Sequence, residues 1–285
     1  MLCTLKELLP KAKKSGYAVG AFNVYNLEYI KGIIEAGEEE NSPIILQISE
    51  GVIAFFGLVS ILKPCLLIAE EAKIPVCVHL DHAKSFETVV KGIKAGFPSV
   101  MFDGSTLQFK ENLRITKKIV EIAKVLNISV EAEVGKVGKE EGGEGSLNIE
   151  YTKVDEAVKF ASECEMDALA ISIGSIHGVT SPHVELNINL LKELNEKTNI
   201  PLVLHGSSGI VDGSIKEAVK NGITKINVAT RLKVKVSEKI KKATTKTGLS
   251  NIEDKKNLSM IIKNAVKEAV VERINLFGSK NKTFS

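Results

Sequence analysis

Short apolar, often β-branched runs alternate along this chain with longer stretches in which apolar residues recur every three or four positions. The runs predict strands over 18–22, 44–48, 75–80, 100–102, 128–132, 168–173, 201–204 and 225–228. The stretches between them predict helices over 27–40, 86–95, 110–126, 155–164, 189–197 and 214–221. Strands apolar on both faces that alternate with helices imply a parallel sheet, and eight repeats imply closure, so the expected fold is α/β, a (β/α)8 TIM barrel. No Pro-, Gly- or Ser-rich linker divides the 285 residues. Residues 1–285 therefore read as one domain, with 233–285 as its C-terminal helical extension.

Two segments sit outside this alternation. Residues 5–11 interleave charge with leucine, as a surface helix would, and contain no apolar signal core. Residues 51–62 are the most apolar stretch, but Lys63-Pro64 ends it short of the roughly 18 residues a membrane span needs, so a helix over the core is expected. Lys and Arg total 38 against 35 Asp and Glu, a net charge of +3, with no long block of one sign. That balance suits a small anionic metabolite and argues against nucleic acid or a membrane as partner. The Lys-rich stretch 233–246 reads as the solvated face of the last barrel helix. Cys3, Cys65, Cys77 and Cys164 form no C-x-x-C pair, which points to a reducing cytoplasm.

The barrel reading directs attention to the C-terminal ends of the strands, where active sites of this architecture collect. Those ends carry Asn23, Ser49-Glu50, Asp81-His82, Asp103, Glu133, His177, His205-Gly206 and Asn227. Three neutral imidazoles with one vacant position form a typical shell for a catalytic divalent ion, and His82, His177 and His205 sit where separate strands bring them together. His79 is expected inside as a hydrogen-bonded residue, and His183 in an exposed loop. Gly174–Gly178 and His205–Gly209 place small residues after strands, where bare backbone N–H groups can approach an anion. With Asn227-Val228-Ala229-Thr230 they occupy the region after strands seven and eight where barrels often hold phosphate. The irregular segment 135–149 holds five glycines and suits a mobile loop over the site. The sixth strand has no lysine, which disfavours Schiff-base chemistry from that position.

These residues stand in motifs: Ala21-Phe22-Asn23, Ile48-Ser49-Glu50-Gly51, His79-Leu80-Asp81-His82, Ser99-Val100-Met101-Phe102-Asp103, Val130-Glu131-Ala132-Glu133-Val134-Gly135, Gly174 to Gly178, Leu204-His205-Gly206 and Lys225 to Thr230. In that order they resemble the class II, metal-dependent ketose-bisphosphate aldolases, in the branch that contains the fructose- and tagatose-bisphosphate enzymes. The resemblance implies a lyase that cleaves a ketose 1,6-bisphosphate, most simply fructose 1,6-bisphosphate, to dihydroxyacetone phosphate and glyceraldehyde 3-phosphate. Tagatose bisphosphate and 6-phospho-5-dehydro-2-deoxygluconate are alternative substrates, and a metal-dependent hydrolase on the same barrel is the alternative chemistry. Such hydrolases commonly carry His-x-His on the first strand, which Val19–Asn23 lacks.

The resemblance also implies roles. His82, His177 and His205 match the ligands of a catalytic zinc, and Asp103 and Glu133 match a second metal position; a monovalent cation is a further candidate cofactor. Asp81 matches the acid/base serving the C4 hydroxyl, and Glu141 the base that moves the C3 proton. Asn23, Ser49, Gly178, Gly206, Ser207, Ser208, Asn227, Val228, Ala229 and Thr230 match substrate-binding positions. A homodimer or homotetramer is implied as well. The chain departs from the pattern at Gly104-Ser105-Thr106, where the family has Ala-Ser-His, and at Gly138-Lys139, where it has Gly-Gly. Asp254-Lys255-Lys256 replaces the Asp-Pro-Arg whose Arg reaches the far phosphate.

Overall fold

In a computed structural model of the chain, describing residues 1–139, 149–179, 183–247 and 252–283, eight parallel strands form a closed ring. They are β1 (Val19–Asn23), β2 (Ile44–Ser49), β3 (Val76–Ala83), β4 (Ser99–Phe102), β5 (Ser129–Val134), β6 (Ala168–Ile171), β7 (Leu202–Leu204) and β8 (Ile223–Val228). Each pairs in parallel with its neighbours in chain order, and β8 returns to pair with β1. Helices Leu27–Glu39, Phe86–Ala95, Phe109–Val125, Val154–Glu163, Ile188–Thr198 and Asp212–Lys220 lie within two residues of their expected bounds at each end. The first two have polar starts: the side chains of Asn26 and Ser85 accept from the N–H groups of Tyr29 and Thr88.

Strand alternation divides the interior. Val78 and Leu80 point out into the main apolar layer under the helices, whereas Cys77 belongs to a separate cluster inside the ring with Val19, Ala21, Ile45, Met101, Ala168, Ala170 and Val203. Above this apolar floor the inward positions become polar: Gln47, His79, Glu131 and Lys225 are all fully buried.

Three expectations are corrected. The N-terminal helix Leu5–Ser15 is no mere surface helix, because Leu5, Leu8, Leu9 and Ala12 are fully buried in the inner cluster and plug the bottom of the ring. The apolar stretch 51–62 is two helices, Glu50–Phe56 and Leu58–Glu71, bent by 109° at Gly57 (φ 84°). The second continues through Pro64, so glycine rather than proline breaks the run. Among the described residues no single helix is long and apolar enough to cross a membrane. The Lys-rich segment is only partly solvated: Lys235 pairs with Glu268 and Glu272, and Lys239 with Glu268, on the long helix Ile252–Phe277.

That long helix is seated by packing. Ala265, Val266, Ala269, Val270, Ile274 and Phe277 are buried, and the backbone N–H of Ala18 donates to the Phe277 carbonyl at 3.1 Å. Where the helix crosses Leu27–Glu39, a Cβ on Gly32 would lie 2.6 Å from the Lys263 carbonyl oxygen, so the crossing requires glycine.

Candidate active site

The position of Asp81 and His82 depends on an irregularity in β3. This strand runs on to Ala83, past the expected end at residue 80, and against β4 its register passes from Leu80↔Val100 to Ala83↔Phe102. Three steps on one strand match two on the other, which is a β-bulge. His82 takes up the extra residue with a φ of 49°, in the left-handed region. In a regular strand adjacent side chains face opposite ways; the bulge lets Asp81 and His82 line one cleft. Holding a histidine there costs about 1–2 kcal/mol.

His82 from β3, His177 beyond β6 and His205 beyond β7 converge. Their ring centroids are 4.5 to 6.2 Å apart, and each offers a nitrogen within 4.8 Å of the others. A second group joins His82 with Asp103 and Glu133. His205 Nδ1 and Glu133 Oε2 are buried 3.5 Å apart, and neither has a hydrogen-bond partner among the described residues. Two such orphans cost about 1–3 kcal/mol each. Imidazole nitrogens and carboxylate oxygens are ligands that a divalent cation accepts, and a cation between these two would satisfy both. The residues present therefore fit a metal.

The electrostatics agree with that fit. Burial, reinforced by the charges of His82 and Lys225, holds His205 well below the ordinary imidazole range, so it is neutral. Burial also lowers His82, but Asp81, the hydrogen bond to Asp103 and the charge of Glu133 more than reverse it, to about 10. Burial and Asp103 push Glu133 up to about 8. Asp103 goes the other way: burial raises it, yet the bonds from His82 (2.9 Å) and Ser105 (2.6 Å) bring it well below the carboxylate range. The metal-free site thus holds protons near pH 7 that a cation must displace. Ion binding at pH 7 is expected to release about one to two protons, and affinity to fall as pH is lowered. Calorimetry in buffers of different ionisation enthalpy reads the number, and binding without proton release contradicts the assignment.

The departure at Gly104 has a counterpart here. A Cβ at that position would collide with the Asn112 side chain, whose Nδ2 donates to the Glu133 carbonyl at 2.8 Å. An asparagine on the following helix occupies the space that alanine would fill, and it anchors the strand end carrying Glu133.

Asp81 is held from both sides. Asn227 Nδ2 donates to Oδ1 at 3.2 Å and Asn23 Nδ2 to Oδ2 at 3.3 Å, while Gln47 Nε2 donates to Asn23 Oδ1 at 3.0 Å. Beneath lies a layer that sequence reasoning did not assign to function. Glu131 Oε1 accepts from His205 Nε2 at 3.0 Å, and Lys225 Nζ lies 2.9 Å from Glu131 Oε2 and 2.6 Å from Asn227 Oδ1. The signal was present: Glu131 and Glu133 share the inward face of Val-Glu-Ala-Glu-Val, and Lys225 interrupts an apolar run two residues before Asn227. His79 is interior as expected, with Nδ1 2.8 Å from Ser99 Oγ, and His183 is exposed.

The cleft is lined by Asn23, Asp81, His82, His177 and Gly178, by Gly206, Ser207 and Ser208, and by Asn227, Ala229 and Thr230. His205 is fully buried beside the cleft, within reach of His82 and His177. Helix Thr230–Thr247 begins at its edge, and a helix start favours an anion. Ser207 Oγ donates to the Asn227 carbonyl, tying the loop after β7 to β8, and the Arg231 N–H donates to Ser208 Oγ at 3.1 Å. Ser49 stands outside the cleft lining, in register with Asp81. Val228 points into the apolar layer, so only its backbone is available to a ligand. Glu141 lies outside the described residues, but Gly138–Lys139, just before it, pairs with Ile176–His177.

Gly206 is fixed by two constraints: its φ is 67°, and a Cβ would lie 2.9 Å from the Ile176 carbonyl. Gly206→Ala is expected to cost about 2 kcal/mol or more and to raise KM for a phosphorylated substrate. Thermal unfolding and steady-state kinetics read these, and an unchanged Tm with unchanged KM contradicts the role.

The chain matches the family described as fructose-bisphosphate aldolase class-II over residues 3–282. It is 38% identical to the sulfofructosephosphate aldolase of Alkalicoccus urumqiensis, covering 97% of this chain and 96% of that protein. It is also 38% identical to the fructose-bisphosphate aldolase of Mycoplasma genitalium, covering 99% and 100%. The crystal structure of the YdjI aldolase from Escherichia coli K12 superposes with a TM-score of 0.88 at 34% identity over the whole of both chains. By sequence and by fold, the chain belongs to the class II fructose-bisphosphate aldolase family, a family of lyases.

Proposed function

We propose that this protein is a zinc-dependent aldolase that reversibly cleaves fructose 1,6-bisphosphate to dihydroxyacetone phosphate and glyceraldehyde 3-phosphate. The observation that carries the reading is one cleft in which three histidines from separate strands meet a carboxylate held by two amides, beside a glycine-rich rim. His82, His177 and His205 would hold the ion, with Asp103 and Glu133 as a second set of ligands. When bound, the ion supplies Lewis acidity at the C2 oxygen, where charge left by C3–C4 scission can be carried.

The chain's own residues supply the rest. Asp81 takes the proton from the C4 hydroxyl as the aldehyde leaves; its two amide donors hold the carboxylate in place for that transfer. Glu141 returns a proton to C3. The backbone of Gly178, Gly206 to Ser208 and Asn227 to Thr230 grips the phosphate of the three-carbon product, which fixes the register of the carbonyl over the histidines. Four free cysteines suit a cytoplasmic enzyme, and a homodimer or homotetramer completes the reading.

One observation favours a related substrate. The relative named for sulfofructosephosphate is as similar as those named for fructose bisphosphate, and Lys255-Lys256 stands where Pro-Arg is usual. Lysine offers charge without the forked geometry of arginine, which changes what the far end of the sugar can be. Retro-aldol rates on fructose bisphosphate, tagatose bisphosphate, a sulfofructose phosphate and 6-phospho-5-dehydro-2-deoxygluconate decide. Fructose bisphosphate is expected to turn over fastest, and negligible turnover of all four defeats the proposal.

A further inference from the structure

Lys225 is fully buried inside the ring, where a charged side chain is costly unless its partners compensate. Its Nζ lies 2.9 and 3.2 Å from the two oxygens of Glu131 and 2.6 Å from Asn227 Oδ1. An ammonium has donors only, and that one-way polarity is transmitted along both branches. Toward the histidines, Glu131 faces Lys225 through both oxygens and accepts from His205 Nε2 at 3.0 Å. The proton of His205 is thereby placed on Nε2, and its bare Nδ1 is turned to the unsatisfied Glu133 oxygen. Toward the acid/base, Asn227 must give its carbonyl oxygen to Lys225, so its Nδ2 is what reaches Asp81 at 3.2 Å. A reversed amide would set two donors against each other and two acceptors against each other.

We propose that Lys225 is a positioning residue that sets both halves of the site at once, the tautomer of His205 through Glu131 and the hold on Asp81 through Asn227. The proposal rests on the aldolase reading for its second half; its first half concerns the chain's own histidine and stands without it. A lysine that merely filled the core would affect stability and nothing else.

The test uses the full-length protein loaded with Co²⁺, whose visible d–d bands report the histidine ligand field, together with two reactions. Cleavage of fructose 1,6-bisphosphate needs Asp81, whereas proton exchange at C3 of dihydroxyacetone phosphate does not. Lys225→Met is expected to weaken Co²⁺ binding by about 10- to 100-fold, to shift the d–d bands, and to lower the ratio of cleavage to exchange by about tenfold or more. The charge-balanced pair Lys225→Met/Glu131→Gln serves where the single variant does not fold. With the ammonium gone, nothing orients a glutamine amide at 131 toward His205, so Co²⁺ affinity stays reduced and the ratio stays low in the pair as well, and wild-type Co²⁺ affinity in the folded pair contradicts the proposal. Wild-type Co²⁺ affinity and bands in folded Lys225→Met overturn the proposal, as does an unchanged ratio of cleavage to exchange in either variant. Should the unaltered protein cleave no sugar, the function proposed above fails, while the Co²⁺ measurements still decide the histidine branch.

Discussion

His177→Ala is expected to lower zinc affinity by at least ~10²-fold and cleavage by ~10³-fold or more, while leaving the barrel folded. A complete shell binds zinc with roughly 10–16 kcal/mol in small sites, so one ligand accounts for about 3 kcal/mol. His177 is chosen because it is half-buried on the rim. Removing fully buried His205 would also strip Glu131 of a hydrogen-bond donor and confuse the result. The metal-free variant should therefore unfold within a few degrees of the wild type. Zinc titration against a chromophoric chelator, alongside the thermal transition, separates the two effects. Wild-type zinc affinity in this variant would remove His177 from the shell.

Asp81→Asn is expected to reduce cleavage by about 10³-fold, within the range that general acid–base groups supply. The change is nearly isosteric but chemically opposed to its surroundings. Asn23 and Asn227 both present amide donors to position 81, so a third amide can satisfy only one of them. Proton exchange at C3 of dihydroxyacetone phosphate should stay within about tenfold of wild type, since it depends on the histidines and Glu141. Parallel loss of both reactions would show that Asp81 is holding the site together rather than moving the C4 proton.

Much of this arrangement was legible in the sequence because barrel geometry converts strand ends into neighbours. Eight apolar runs gave the ring, and the polar residue following each run fell at its upper edge, which is why His82, His177 and His205 could be grouped although they are far apart in the chain. Periodicity alone did not show the bulge at Asp81-His82. A bulge is one extra residue in a pairing, and pairing is a property of two strands together. It did not show the inner plug either: Leu5, Leu8 and Leu9 have the spacing of any amphipathic helix, and only the open bottom of the ring makes them core. Glu131 and Lys225 escaped for a third reason. Each is an ordinary charged residue on its own strand, and their significance comes from meeting across the interior between β5 and β8. Gly104 likewise takes its meaning from Asn112 on the following helix.

In the proposed function, carbon–carbon scission depends on a cation held by the imidazoles of His82, His177 and His205. Fructose 1,6-bisphosphate cleavage measured after exhaustive chelation, and again on stepwise return of zinc, tests it most directly. Activity should vanish on chelation and return in full at one to two equivalents of zinc per chain. Undiminished cleavage by the metal-stripped enzyme would contradict the account.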